Sequence, residues 1–133
     1  MKELTLHTDG GSRGNPGQGA IGGVLIENGS EVETFGEKIG ICTNNEAEYR
    51  ALIKGMELAI NRGCDILTCY LDSLLVVNQL NGIYRIKESR LQAFAITIKN
   101  LQSEFTKVVY KHVERAKNAS ADVLVNKALD GKI

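Results

Sequence analysis

Four acidic residues stand at positions from which their side chains could converge on one site. Asp9 follows the alternating pattern of a first strand, and Glu48 lies in the opening turns of the first predicted helix. Asp72 ends a later strand pattern, and Asp122 lies near the start of the last predicted helix. Strand ends form the ligand-binding crevice of open α/β sheets, so these carboxylates could meet there. Clustered carboxylates repel one another, and a hard cation such as Mg²⁺ or Mn²⁺ relieves this through oxygen ligands alone.

Each of these acids also has a purely structural interpretation. Asp9 could be a turn residue, Asp72 could cap a helix N-terminus, and Asp122 could interact with the helix dipole. For Asp72 and Asp122, each considered alone, the structural interpretation is the favoured one. Glu46 competes with Glu48 for the role of ligand, but the capping box that begins this helix already uses Glu46. The spacing therefore favours Glu48.

A glycine-rich segment, residues 10–17, follows Asp9 and is predicted to form a loop. It lacks the Gly-Lys-Ser/Thr ending of a P-loop, which argues against nucleotide hydrolysis by that route. Its glycines could make a simple strand connection. They could also let backbone N–H groups approach a phosphate or a sugar closely.

Length and composition are those of an ordinary globular protein. The 133 residues suit a single domain over residues 1–133, with 43% hydrophobic and 24% charged residues. No apolar run approaches the roughly 18 residues of a membrane span, and the N-terminus has no apolar signal core. We therefore expect a cytoplasmic protein with no membrane association. The three scattered cysteines predict reduced, partly buried thiols rather than a zinc site.

The charge is balanced overall but unevenly distributed. With 16 basic and 16 acidic residues the net charge is zero, whereas nucleic-acid-binding domains are usually basic. An acidic stretch covers residues 27–37 and a basic one residues 107–117. Either run could be only a solvated face, so charge alone does not identify a partner.

The hydrophobic pattern changes along the chain from that of strands to that of helices. Strands are predicted at residues 4–9, 19–26 and 31–39, with a hairpin turn at Asn28-Gly29. A helix follows, with Thr43 as N-cap and Gly63 at its end. The remaining elements are a strand over residues 65–71, a short helix from Asp72-Ser73 to about Leu80, a helix over 88–103, a strand over 105–113, and a helix from its cap Asn118 through Ala128.

The predicted order is β-β-β-α-β-α-α-β-α. Three antiparallel strands followed by strand–helix alternation predict an α/β fold with a mixed five-stranded sheet. Parallel strands extend the antiparallel part, and helices cover both faces of the sheet.

Four segments carry the four acids in collinear order. They are TDGGSRGNPG at residues 8–17, TNNEAEYRAL at 43–52, LDSLLVVNQL at 71–80 and NASADVLVN at 118–126. Together they resemble the motifs of the type 1 ribonuclease H family over nearly the whole chain. One such motif would be weak, whereas four in order are strongly specific.

The resemblance implies an endonuclease that hydrolyses the RNA strand of RNA/DNA hybrids and leaves 5′-phosphate and 3′-hydroxyl ends. It implies two bound Mg²⁺ or Mn²⁺ ions as cofactors, and no obligate protein partner is inferred from the sequence. Asp9 would bridge both ions, Glu48 and Asp72 would complete the nucleophile side, and Asp122 the flanking side. All four are thus expected as catalytic and metal-binding residues of a ribonuclease H-like fold.

The resemblance also implies a substrate-binding surface for the hybrid. Thr43 corresponds to the position that grips a phosphate of the DNA strand. The remaining residues are expected to lie at the minor groove, where the 2′-hydroxyl distinguishes RNA from DNA. They are Gly10, Gly11, Ser12, Arg13, Asn15, Asn44 and Asn45.

Some features depart from the best-known members and resemble the compact form of the family. The region of residues 82–90 is short and lacks the tryptophan-containing basic handle, and Leu74 replaces a common glutamine. No hybrid-binding domain is expected within residues 1–133. Either His112 or Arg115 could take the place of a mobile histidine that helps product leave. These departures bear on substrate affinity more than on chemistry.

Two other functions fit the same fold. A non-catalytic hybrid-binding module would be expected to have lost at least one metal ligand, and this sequence keeps all four. A nuclease with another nucleic-acid substrate fits the carboxylates, but fits the asparagine- and glycine-rich segments poorly.

Overall fold

The computed structural model describes residues 1–133 and contains five strands and four α-helices. The strands are β1 (Glu3–Gly14), β2 (Gly17–Glu27), β3 (Ser30–Cys42), β4 (Ile66–Leu71) and β5 (Lys107–His112). The helices are α1 (Asn44–Asn61), α2 (Leu74–Leu80), α3 (Ser89–Gln102) and α4 (Ala119–Leu129). A 3₁₀ turn at Arg115–Asn118 leads into α4. The element order is the predicted one.

All five strands form one sheet in the order β3-β2-β1-β4-β5. The hairpins β1–β2 and β2–β3 are antiparallel, whereas β4 pairs in parallel with both β1 and β5. The long central strand β1 therefore has an antiparallel partner on one side and a parallel partner on the other. The predicted mixed five-stranded sheet is confirmed.

Helices cover both faces of this sheet. On one face Leu6 of β1 is fully buried and contacts α1 at Gly55, and α3 packs against α1. On the other face α4 lies directly on Gly22 of β2 and Gly36 of β3. The main core lies on the α1 face and gathers side chains such as Leu52, and a small cluster lies under α4.

Several local predictions are confirmed because short-range chemistry determines them. Asn28 and Gly29 both adopt positive φ in the β2–β3 turn. Thr43 and Glu46 form a reciprocal capping box at the start of α1. Gly63 has φ +73° just beyond the end of α1. The three cysteines are free, as expected, but all three are buried rather than partly buried.

The predicted loop over residues 10–17 is wrong, and so is the position of Asp9 at the end of a strand. β1 continues to Gly14, and its pairs with β2 run without interruption from Thr5↔Ile26 to Gly14↔Gly17. Only Asn15 and Pro16 form the turn. The long antiparallel ladder with β2 holds these glycines in a strand that their own propensity does not favour.

No helix in the structure is both long enough and apolar enough to cross a bilayer.

Candidate active site

The pairing of β1 with β4 brings two of the predicted acids side by side. The last parallel pair is Thr8↔Leu71, so Asp9 within β1 lies beside Asp72, the residue that directly follows β4. Glu48, from the first turns of α1, completes the group. Single carboxylate oxygens of Asp9, Glu48 and Asp72 all lie within 4.8 Å of one another.

Glu48 is held by the strand that carries Asp9. The backbone N–H of Gly10 donates a hydrogen bond of 2.8 Å to Oε1 of Glu48. This contact requires glycine, because a Cβ at position 10 would collide with the backbone of Ala47 and lie 2.7 Å from the nitrogen of Glu48. The other carboxylate oxygen, Oε2, is buried and has no hydrogen-bond partner.

Asp122 is not one of the three acids that meet within 4.8 Å, but it lines the same cavity and lies near Asp9 because α4 lies close to the sheet. Asp9 pairs with Gly22, and Gly22 pairs with Gly36, so one row across three strands carries Asp9 and two glycines. A Cβ at Gly22 would lie 2.7 Å from the carbonyl oxygen of Ala121. With no side chain in the way, the first turn of α4 places Asp122 beside Asp9.

The cluster changes the protonation of its two most buried members. The pKa of Asp9 is raised to about 6, chiefly by burial and also by the charges of Asp72 and Asp122, although a side-chain hydrogen bond with Glu48 lowers it. Burial, followed by the negative charge of Asp9, raises the pKa of Glu48 well above its usual range, despite the hydrogen bond from Gly10. Asp9 and Glu48 are only 4% and 6% exposed. Without a cation, the cluster therefore retains protons that isolated carboxyls would release.

These residues suit a hard divalent cation. All donors are oxygens, which favours Mg²⁺ or Mn²⁺ over zinc. A buried carboxylate oxygen without a partner, Oε2 of Glu48, is costly unless something compensates its charge. A cation among Asp9, Glu48 and Asp72 would supply that compensation.

The structure also shows that Glu46, the alternative candidate to Glu48 as a metal ligand, has a different role. Oε1 of Glu46 accepts a hydrogen bond of 3.1 Å from the backbone N–H of Thr43, while Oγ1 of Thr43 accepts one from the N–H of Glu46. The hydrogen bond from Thr43 is the largest cause of the lowered pKa of Glu46. Glu46 thus serves the helix end, as its spacing predicts.

The structural interpretation of Asp72 as a helix cap is wrong. The N-cap of α2 is Ser73, whose Oγ accepts a hydrogen bond of 3.3 Å from the N–H of Val76. Since its neighbour caps the helix, the carboxylate of Asp72 remains available to the cluster.

Asn118 is a site residue that sequence reasoning missed. It occupies the predicted N-cap position of α4, but its side chain makes no capping hydrogen bond. Instead, Nδ2 donates to the carbonyl oxygen of Thr8 at 2.8 Å and to Oδ2 of Asp72 at 3.3 Å. Asn118 is 1% exposed. No local pattern signals this role, because its partners lie 110 and 46 residues away.

A polar cavity of about 540 Å³ opens over the four acids. Of the eight predicted substrate-binding residues, all but Asn15 and Thr43 line it: Gly10, Gly11, Ser12, Arg13, Asn44 and Asn45. Asn15 lies next to this wall, since its Oδ1 accepts a hydrogen bond of 3.0 Å from the N–H of Asn44. Thr43 lies outside the wall, at the start of α1.

Two further contacts organise the wall of the cavity. Oδ1 of Asn44 accepts a hydrogen bond of 2.9 Å from the N–H of Ser12, which ties α1 to the end of β1. The guanidinium of Arg13 forms a 2.6 Å ion pair with Asp130, just beyond α4. Both partners are well exposed, so the ion pair orients Arg13 more than it stabilises the fold.

The structure distinguishes Arg115 from His112. Arg115 is exposed, lines the cavity and makes no ion pair. His112 does not line the cavity, and its Nε2 lies 3.2 Å from the backbone carbonyl oxygen of Asp72. Of the two, Arg115 is therefore the one placed to contact a bound ligand.

Comparison with known proteins identifies similar chains. The model of a family described as reverse transcriptase-like matches residues 7–128. A bifunctional protein of Mycobacterium tuberculosis is 37% identical over 130 residues, which is 96% of this chain and 36% of that protein. The chain thus spans about a third of the length of the mycobacterial relatives it matches.

Solved structures agree over the whole fold. The crystal structure of RNase H1 from Halobacterium salinarum superposes with a TM-score of 0.95 at 40% identity, covering 97% of this chain and 98% of that one. The crystal structure of LC11-RNase H1 in complex with an RNA/DNA hybrid gives a TM-score of 0.92 at 37% identity, with coverages of 96% and 97%.

Proposed function

The chain belongs to the type 1 ribonuclease H family, and from that premise we propose that it is an endonuclease that hydrolyses the RNA strand of RNA/DNA hybrids. The observation that carries the proposal is the convergence of Asp9, Glu48 and Asp72 within 4.8 Å, with Asp122 on the same cavity. A solved relative, LC11-RNase H1, has been crystallised with such a hybrid.

The four acids would hold two divalent cations, Mg²⁺ or Mn²⁺. Asp9 lies centrally in the cluster, beside both Asp72 and Asp122, and would bridge the two ions. Glu48 and Asp72 would complete the nucleophile side, and Asp122 the flanking side. The chemistry that such a pair supplies is activation of the attacking water and stabilisation of charge on the leaving 3′-oxygen.

The protein itself contributes rigid positioning. The N–H of Gly10 holds one oxygen of Glu48 at 2.8 Å and leaves Oε2 free to coordinate. The amide of Asn118 orients Asp72 from behind. Ligands that are already held in place bind a cation without first losing side-chain entropy, and they fix where the scissile phosphate must lie.

Substrate selection would come from the polar wall of the cavity. Ser12, Arg13, Asn44 and Asn45, with the backbone at Gly10 and Gly11, present donors and acceptors at one side of the acids. Side chains of this kind can bond the 2′-hydroxyl, which both donates and accepts. Asn15 would support Asn44, and Thr43 would contact a phosphate of the DNA strand.

The test is cleavage of an end-labelled RNA/DNA hybrid by the purified protein, with Mg²⁺, with Mn²⁺ and with excess chelator. We expect metal-dependent cutting of the RNA strand to 5′-phosphate and 3′-hydroxyl ends, with a DNA duplex of the same sequence left intact. Asp9→Asn serves as the matched control for contaminating nuclease. Hybrid binding without cleavage, equal cutting of the DNA duplex, or activity in chelator would contradict the proposal.

A further inference from the structure

His7 lies behind the acid cluster, on the parallel pair that precedes Thr8↔Leu71. It is the register partner of Tyr70 on β4, and the two rings stack with centroids 4.9 Å apart. Its Nδ1 lies 3.2 Å from Oδ1 of Asn118. His7 does not line the cavity over the acids, so it has no direct contact with a substrate there.

The hydrogen bonds of Asn118 determine which way its amide faces. The group offers two N–H donors on Nδ2 and one acceptor, Oδ1. Nδ2 faces the carbonyl oxygen of Thr8 at 2.8 Å, which can only accept, and also faces Oδ2 of Asp72. The reversed amide would set an oxygen against two oxygens in a buried place, which is costly. Oδ1 must therefore face His7.

Because Oδ1 of Asn118 can only accept, Nδ1 of His7 must carry the hydrogen. We infer that His7 is a positioning residue, which donates from Nδ1 to Asn118 and through that amide fixes the orientation of Asp72. The chain of hydrogen bonds runs from His7 to Asn118 and then to Asp72, a residue of the acid cluster. This inference rests on the proposed function only where it concerns catalysis, since the hydrogen-bond chain itself is independent of turnover.

The first test reads the tautomer directly. The protein has two histidines, and Nε2 of the other, His112, faces the carbonyl oxygen of Asp72 and so must donate. Long-range ¹H–¹⁵N spectra, recorded where imidazoles are neutral, should show Nδ1–H for His7 and Nε2–H for His112. His112→Gln assigns the signals. An Nε2–H tautomer at His7 would overturn the inference.

The second test separates the hydrogen bond from the aromatic ring. His7→Phe keeps a ring for Tyr70 but removes the donor, whereas His7→Asn restores a donor near the position of Nδ1. We expect His7→Phe to lower kcat roughly tenfold, as for other groups that orient metal ligands, with KM for the hybrid unchanged. His7→Asn should recover most of that loss. Tyr70→Leu, which removes the stacking partner but not the donor, is the matched control and should keep kcat near wild type.

A third readout is independent of activity. The Mg²⁺ concentration that gives half of the maximal rise in melting temperature should be higher for His7→Phe than for wild type, and close to wild type for His7→Asn. Wild-type kcat together with a wild-type Mg²⁺ response in His7→Phe would refute the positioning role. An inactive wild type would refute the proposed function instead, and the tautomer and the Mg²⁺ response would still decide the inference.

Discussion

Asp9 and Asp72 are neighbours across the parallel pairing of β1 and β4, each one residue beyond the paired Thr8 and Leu71. Adjacent strands lie about 4.8 Å apart, so the sheet itself limits how far these two carboxylates can separate. Metal-free protein must tolerate the resulting repulsion, and this leads to the first prediction.

Asp9→Asn should abolish cleavage. The metal-free variant should be as stable as wild type or more stable, with a free energy of unfolding higher by up to about 1 kcal/mol. Asparagine keeps the size of Asp9 and removes one negative charge from the cluster. Mg²⁺ should then raise the melting temperature of wild type more than that of the variant, because it binds the folded state. Thermal melts in chelator and in Mg²⁺ measure both effects. A clearly lower melting temperature for the variant in chelator, with an unchanged Mg²⁺ shift, would refute the clustered site.

The free energy of unfolding in chelator should fall as pH rises from about 4 to about 6. The pKa of Asp9 is raised from 3.8 to about 6, so in this window the unfolded chain releases a proton that the folded protein keeps. Stability then decreases with pH and levels off above the folded pKa. The raised pKa of Glu48 extends the decrease. Urea unfolding across this range should show a flatter profile for Asp9→Asn. An equally steep profile would contradict the assignment.

Glu46 and Glu48 should give opposite phenotypes although they are two residues apart. Glu46→Ala removes half of the capping box and should cost about 1 kcal/mol of stability with little loss of cleavage. Glu48→Gln should abolish cleavage without destabilising the metal-free protein, because the amide can donate to Asp9 and still accept from Gly10. Melting temperature and initial rate measured on both variants check this. Loss of activity in both, with equal stability, would mean that Glu46 also belongs to the site.

Arg115→Ala should slow hybrid cleavage about tenfold, the effect expected for one charge-assisted hydrogen bond to a phosphate. Arg115 faces the cavity and makes no ion pair. Arg115→Lys should restore part of the rate. His112→Ala should have a smaller effect, since its Nε2 contacts the main chain of Asp72. Steady-state kinetics on both variants measure the two effects. A lower cleavage rate for His112→Ala than for Arg115→Ala would contradict this prediction.

Hybrid binding should depend only weakly on salt, with a log–log slope shallower than about −6. The chain has zero net charge, and Asp130 partly neutralises Arg13 through a 2.6 Å ion pair. Asp130→Asn should therefore tighten hybrid binding. Glu57→Gln, which removes the same charge from an exposed position on α1, is the control for net charge. A steeper slope in wild type, or equal tightening by both variants, would contradict this account.

The sequence predicted those parts of the fold that depend on short-range chemistry. The capping box of Thr43 and Glu46 and the Asn28-Gly29 turn are local, and both are present. The strand conformation of residues 10–14 could not be predicted from local sequence. It depends on the pairing with β2, which overrides the weak strand propensity of glycine. The role of Asn118 was missed for a similar reason, since its hydrogen-bond partners are distant in sequence.

The two close approaches at Gly10 and Gly22 affect how a screen for inactive variants would be interpreted. Neither residue has a side chain that could bind anything, yet a methyl group at either position would push a helix away from the sheet. Gly10→Ala would displace α1 and Glu48, and Gly22→Ala would displace α4 and Asp122. Such variants would score as catalytic losses although the sequence still contained all four acidic residues. A screen that considered only the position of each substitution would then wrongly assign a chemical role to the side chain of a residue that has none.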